Sequence, residues 1–195
     1  MFMLNLFNKI FRRLNSYYYC LKYRSCFKYL GHNVRVYSPL KIQGHTSIVV
    51  HDNAIISDQI WLVALPLTGV EAKLVIGKNV HLGHFNHIYC TSNITIEQDV
   101  LTADKVYISD NAHSYDDIRI PIWRQPIKQL KSVVIGERSW IGENVCIIGA
   151  SVGKHCVIGA NSVVTRDIPD YSIAVGVPAK VIKRYNFDTK EWGAV

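Results

Sequence analysis

Eight histidines and five cysteines are the residues of this 195-residue chain best suited to chemistry near neutral pH. His113 stands apart from the rest. It ends a predicted strand and opens residues 114–131 (SYDDIRIPIWRQPIKQLK), which hold Pro121 and Pro126. A neutral imidazole in that place can accept the proton of an attacking hydroxyl and pass it to a departing group, a contribution of roughly 10²–10⁴-fold. Asp110 or a backbone carbonyl is available to fix its tautomer, and the competing reading is a solvent-exposed corner histidine. The thiols offer less. Cys20, Cys26, Cys90, Cys146 and Cys156 leave one unpaired and contain no CxxC. A disulfide framework or zinc knuckle is therefore disfavoured, and reduced thiols in the cytosol are expected.

The elements that must position His113 announce themselves as a repeat. From about residue 76, aliphatic residues return every six positions, often followed by Gly: Ile76, Leu82, Ile88; Ile96, Thr102, Ile108; Ile135, Ile141, Ile147; Val152, Ile158, Val164. Four residues after these positions come Val80, Val100, Val106, Ala112, Ser139, Val145, Cys156 and Ser162. A period of six is neither helical nor a simple alternation. It suits a chain that runs straight, turns a corner and repeats, three sides making a triangular coil of about 18 residues. Aliphatic residues point into the prism, small ones fill the corners, and Gly or Asn at the corners takes up positive φ. Coils stack roughly 4.8 Å apart through backbone hydrogen bonds. A β-sandwich would instead show period-two strands at irregular spacing.

The period has defects. Residues 147–152 fall one short of a hexad. Residues 114–131 break it altogether, and prolines cannot donate ladder bonds, so this stretch is expected to leave the prism as a loop. Residues 60–73 (IWLVALPLTGVEAK) read as a second excursion, and around Ile42, Ile48, Val50 and Ile56 a degenerate repeat has no fixed register.

Three stretches, VYISDNAHSYDD (106–117), VVIGERSWIGENVCI (133–147) and VIGANSVVTRDIPDYSIAVGVPAKVIK (157–183), resemble the hexapeptide-repeat acyltransferases. The likeness covers about residues 74–184. It is nearest the galactoside, maltose and xenobiotic acetyltransferase branch and the O-acetyltransferases of surface polysaccharides. The resemblance implies an all-β fold, a left-handed parallel β-helix of hexapeptide repeats, against the usual right-handed crossover. It implies a homotrimer with sites between neighbouring prisms, acetyl-CoA as donor and co-substrate, and one essential histidine, which aligns with His113.

The same resemblance lays the donor along Trp140, Gly142, Ala160, Thr165 and Arg166 and ends it near Lys180 and Lys183. Arg166, Lys180 and Lys183 offer charge to phosphates; otherwise they are a solvated basic edge. Gly142 and Ala160 would let the pantetheine lie against backbone, whereas Glu143 is doubtful as a contact. On the acceptor side the resemblance suggests Asn86 for a sugar hydroxyl, although Asn86 sits in a small-residue slot and also reads as a corner asparagine. Tyr115 and Trp123 in the loop are placed to stack on a sugar face.

The net charge of +7 is all at one end. Residues 1–51 hold Lys9, Arg12, Arg13, Lys22, Arg24, Lys28, Arg35 and Lys41 and no Asp or Glu. Leu6, Phe7, Ile10, Phe11 and Leu14 fall on one helical face. Such a basic amphipathic helix either lies on an anionic membrane surface or packs on the rest of the protein. No recognition motif accompanies the basic residues, so nucleic acid is not expected. No stretch approaches the roughly 20 apolar residues of a spanning helix. A signal peptide is not expected either, since the apolar residues precede the basic cluster. The expected organisation is an N-terminal helical segment over residues 1–33, a β-helix over 34–184 with the protruding loop, and a tail over 185–195. The expected location is cytoplasmic, at the inner face of the cell membrane where the helix engages lipid.

The leading expectation is an acetyl-CoA-dependent O-acetyltransferase acting on a sugar hydroxyl of a cell-surface polysaccharide or its precursor, with an amino-sugar N-acetyltransferase as near variant. Two remote alternatives share the prism: a zinc carbonic anhydrase and a non-catalytic subunit. The first needs three converging histidines. His81, His84 and His87 face different ways on a period of six, and Ile118 stands where a further histidine would be needed, so no metal is expected.

Overall fold

The structure, a computed structural model, describes residues 2–195, with side chains from Phe7 onward; the side chain of Leu6 lies outside the described residues. One helix, α1 (Phe2–Tyr23), precedes a prism of three parallel sheets. Successive strands pass to successive faces. The first face stacks Tyr29–Leu30, Ile48–Val50, Lys73–Ile76, Asn93–Ile96 and Val133–Ile135, and single bridges at Val152 and Ile168 continue it. The second stacks Arg35–Val36 through Ser172–Val175, and the third Lys41–Gln43 through Val163–Val164. The degenerate upstream stretch is thus regular coil, and the prism starts at Tyr29, inside the segment expected to be helical.

The inward row of each face is the hydrophobic pattern of the sequence. Ile76, Ile96 and Ile135 on the first face, Leu82, Ile141 and Ile158 on the second, and Ile88, Ile108 and Ile147 on the third are all buried. Removing an isoleucine of this kind to alanine costs about 2–5 kcal/mol. Between the first and second faces, and between the second and third, the pattern is strict. The residue three after each inward position has positive φ: Asn79, Phe85, Asp99, Lys105, Arg138, Asn144, His155 and Asn161 are examples. Asn33, Asn53, Asn79 and Asp99 form a side-chain ladder up the first of these corners, with bonds of 3.0, 3.1 and 2.8 Å. The glycine role expected at corners is corrected here. Gly77, Gly83 and Gly136 do not carry the positive φ; a Cβ on them would stand 2.6, 2.3 and 2.5 Å from backbone of the next coil. Their lack of a side chain is what lets coils close-stack.

Coil length is set at the third corner, and the expected 18 residues is corrected too. Ile76 pairs with Ile96, 20 residues on; Ile135 bridges Val152, 17 on; Val152 bridges Ile168, 16 on. Both excursions leave from this same corner. The first is shorter than expected, because Trp61–Ala64 and Lys73–Ile76 remain in the ladder and only 65–72 depart. The second begins after Ser109, so Ala112 lies outside the prism rather than in a corner slot.

Each open end of the prism is closed by a different device, as edge strands require. At the start, α1 crosses the second face's edge strand: Ser16 Oγ accepts the Val36 N–H at 2.9 Å, and the Cys20 thiol donates to the Val34 carbonyl at 3.5 Å. At the far end the expected tail is structured. Lys180–Asn186 and Glu191–Ala194 add antiparallel strands to the second face.

Candidate functional site

His113 rides on a two-stranded arm. Asn111–His113 pairs antiparallel with Ile127–Gln129, His113 opposite Ile127. The Ser114 N–H donates to the Pro126 carbonyl at 3.1 Å, so the prolines shape the arm without donating to it. The base of the arm is a buried polar network. Asp110, fully buried, accepts the backbone N–H groups of Thr91 and Ser92 at 2.8 Å and of Asn93 at 2.9 Å, and the Asn111 amide at 3.1 Å. Gln129 donates to the Asp110 carbonyl at 2.7 Å and accepts the Thr68 hydroxyl at 2.7 Å. Ser109 and Asn111 close the turn through Ser109 Oγ at 2.6 and 3.1 Å. Asp110, one of the two candidates for fixing the His113 tautomer, is therefore spent on the preceding coil and does not orient His113. The His113 ring is exposed and makes no hydrogen bond among the described residues. Nothing in the sequence marked Gln129 or Thr68, because their partners lie far along the chain.

Beyond His113 the arm is organised by Gln125, whose amide accepts the Asp117 N–H at 3.2 Å and donates to the carbonyls of Asp117 at 2.9 Å and Ile120 at 3.0 Å. Arg119 grips the Asp117 carboxylate with two bonds of 2.9 Å, which holds that carboxyl below its ordinary range. Tyr115 and Trp123 are exposed as expected, and the Arg124 guanidinium lies 4.8 Å from the Trp123 ring centre.

The remaining candidates fall in three places. Thr165 and Arg166 are exposed at the third-to-first corner, the edge that also carries the arm, two coils further on. Trp140 stands in an outward row of the second face, in which register runs Leu101, Trp140, Val157, Ile173, Lys183. Lys180, opposite Val175, is exposed on the same sheet as Lys183. Ala160 is exposed at the second-to-third corner, directly above Gly142. A Cβ on Gly142 would meet Ala160 N at 2.7 Å, so that glycine serves the stacking and is buried, leaving no surface for a pantetheine arm. Glu143 at this corner is 3.1 Å from Lys105. A single chain thus brings His113, Thr165 and Arg166 to one edge and sets Trp140, Lys180 and Lys183 on the opposite face.

Asn86 is corrected. It is 1% exposed, its Oδ1 accepts the Val106 N–H at 2.7 Å, and its amide donates to Thr102 Oγ1. It is a core corner residue with nothing left for a sugar. The histidines do not converge: His81 projects from the second face, His87 from the third, and His84 sits at the corner between, 3.4 Å from Asp58. Among the described residues no group of three or more His, Cys, Asp or Glu is arranged to hold a metal ion. Two clefts flank α1, lined by Arg12, Tyr19, Tyr37 and Asp58 and by Arg13, Cys20, Leu21 and Arg35, and a third lies in the arm under Tyr115 and Ile118. His113 lines none of the three.

The chain matches a model of the hexapeptide repeat of succinyl-transferase over residues 132–166. It is 42% identical over 121 residues to a putative lipopolysaccharide biosynthesis O-acetyl transferase, WbbJ, of Escherichia coli, covering 58% of this chain and 62% of that one. The chain therefore spans less than two thirds of that relative's length. It is 29% identical over 166 residues to the galactoside O-acetyltransferase of the same species, covering 79% of this chain and 75% of that one. In fold it is similar to a variant of AntD, an N-acyltransferase from Bacillus cereus solved with dTDP and coenzyme A, with a TM-score of 0.69, 20% identity and coverage of 86% and 89%. That likeness fixes the fold as a left-handed parallel β-helix. Over residues 132–166 the chain thus carries the hexapeptide repeat, and in sequence and fold it is similar to acyltransferases built on that repeat.

Proposed function

We propose that the chain is an acetyl-CoA-dependent O-acetyltransferase acting on a sugar hydroxyl of a cell-surface glycan or its precursor, at the cytoplasmic side of the membrane, with His113 as general base. The observation that carries the reading is His113 itself: an exposed imidazole free of hydrogen bonds among the described residues, at a fixed height on an arm pinned by Asp110. The imidazole takes the acceptor hydroxyl's proton as its oxygen bonds to the thioester carbonyl carbon. The carbon–sulfur bond then breaks, and the imidazolium returns the proton to the CoA thiolate. A backbone N–H near the thioester would support the oxyanion. The relatives named O-acetyltransferases favour a hydroxyl acceptor over an amine.

The division of the candidate residues supports a site shared between copies. On one prism His113 lies on the third-to-first edge, whereas Trp140 and Lys183 lie on the opposite face. Two copies set edge against face bring them together, and a rotation that closes after three copies gives the homotrimer. In that seam Arg166, Lys180 and Lys183 meet the donor's phosphates, Trp140 and Ala160 line its arm, and Tyr115 and Trp123 lie against the sugar ring.

The test is thiol release from acetyl-CoA by the purified protein, screened against nucleotide sugars and glycan repeat units. The expected result is transfer to a hydroxyl that falls roughly 10²–10⁴-fold in His113→Ala, with CoA affinity by calorimetry retained. Full transfer by His113→Ala overturns the role of His113. Transfer to amino sugars alone converts the reading to an N-acetyltransferase.

A further inference from the structure

The helix that caps the prism does so with the wrong side for an ordinary amphipathic helix. Its contacts with the body are made by Ser16 and Cys20, both buried, by the half-buried Tyr19 and Tyr23, and by Arg12, which reaches Asp58 and stacks on Tyr37 with its guanidinium 4.9 Å from the ring centre. At about 3.6 residues per turn these define one side of the helix. Phe7, Ile10, Phe11, Leu14, Tyr18 and Leu21 centre on the other side, roughly 170° away. All of them are exposed; Leu14 and Leu21, along the stretch of the helix that also carries Ser16 and Cys20, are 60% and 62% exposed. Of the two placements that the sequence leaves open for this stripe, packing on the chain's own body is not the one the structure shows. The stripe runs for about 20 Å along α1; Phe7, Phe11 and Leu14 line none of the clefts against the body, while Ile10, Tyr18 and Leu21 border those that flank the helix.

Charge decides what fits it. Arg13 and Lys22 flank the stripe on its two sides, and Arg24 follows the helix. Among the described residues Lys9, Arg13, Lys22 and Arg24 enter no ion pair. Residues 1–51 carry eight basic and no acidic side chains, while the rest of the chain carries 14 basic and 15 acidic. A second copy's helix laid on this one would set basic flank against basic flank. A surface that is apolar at depth and negative at its face matches both features at once: the stripe enters the acyl boundary and the long basic side chains reach up to headgroup phosphates. No described helix is long and apolar enough to cross a membrane.

We propose that α1 docks the protein on an anionic phospholipid bilayer through the Phe7–Leu21 stripe. This stands independently of the acyl-transfer reading. Co-sedimentation of the full chain with phosphatidylcholine vesicles, with and without about 30% phosphatidylglycerol, tests it. We expect partitioning at least tenfold stronger on the anionic vesicles, weakened by 0.5 M salt (a Debye length of about 4 Å). Phe7→Ser/Phe11→Ser/Leu14→Ser is expected to lose it at least tenfold with an unchanged thermal midpoint. Arg13→Glu/Lys22→Glu, which leaves the stripe intact, is expected to lose the anionic preference. Absence of wild-type binding to anionic vesicles overturns the proposal, as does equal binding by the serine variant. A serine variant that binds lipid normally but drops to a smaller assembly in gel filtration also overturns it and assigns the stripe to a second copy.

Discussion

The carboxylate of Asp110 accepts the backbone N–H of Thr91 at 2.8 Å, joining the start of the arm that carries His113 to the corner of the coil beneath it. With Ser92 and Asn93 added, one side chain satisfies three consecutive buried donors of a neighbouring turn. Asp110→Ala would leave them unpaired, and each such group costs about 1–3 kcal/mol. The expected loss is about 3 kcal/mol or more in urea unfolding. A second effect is expected on the arm: transfer falls while CoA affinity holds, since the arm's base moves but His113 remains.

Close stacking of coils predicts a sharp contrast between two glycines. A Cβ on Gly136 would lie 2.5 Å from the Gly153 carbonyl carbon, whereas one on Gly193 meets nothing within 4 Å. Gly136→Ala should destabilise by about 1–3 kcal/mol, the range for overpacked interiors. Gly193→Ala should change stability by less than about 0.5 kcal/mol. Thermal melts of the two variants measure the difference.

Acid should loosen the prism before its carboxylates titrate. Burial lowers the His45 and His87 pKa values below 6.5, and the Nε2 of each ring is buried without a partner. His87 also stacks on Trp61 at 4.3 Å, nearly parallel. The unfolded chain protonates these rings more readily, so their neutral forms contribute stability above pH 6.5 that is lost as pH falls below it. The midpoint of unfolding should drop between pH 7.5 and 5.5. His45→Phe/His87→Phe should flatten that dependence; an equal slope in the variant would show that other groups cause it.

The outward row of the second face gives a prediction for the donor. Lys183 closes a row that begins with Leu101 and Trp140. Lys183→Glu should weaken CoA binding at least tenfold through phosphate repulsion, and weaken dephospho-CoA or pantetheine less. Equal losses for all three would trace the effect to folding rather than charge.

Much of this molecule was legible because a six-residue period leaves few alternatives. Ile76, Ile141 and Ile158 declare the prism, and His113 is singled out by its place beside the break in the period together with the resemblance of SDNAH to the acyltransferase motif. What was hidden lies where contact is made across coils. Asn86 and Asp110 are polar residues whose partners sit 16 to 20 positions away, so neither their burial nor their spent hydrogen bonds could be read locally. The glycines misled because the positive φ falls two residues after them, on Asn79 or Arg138. The helix misled most, since its apolar stripe was visible but the side that meets the body rests on Ser16 and Cys20, which no hydrophobic pattern marks.

Two edges of the prism keep a constant spacing, while the third alone stretches the coil from 16 residues between Val152 and Ile168 to 39 between Ile96 and Ile135 without disturbing the ladders beside it. Peptide can therefore be exchanged at that edge as a cassette. Grafting a foreign arm between Ser109 and Val133 would exchange the segment that carries His113 while the scaffold stays in register.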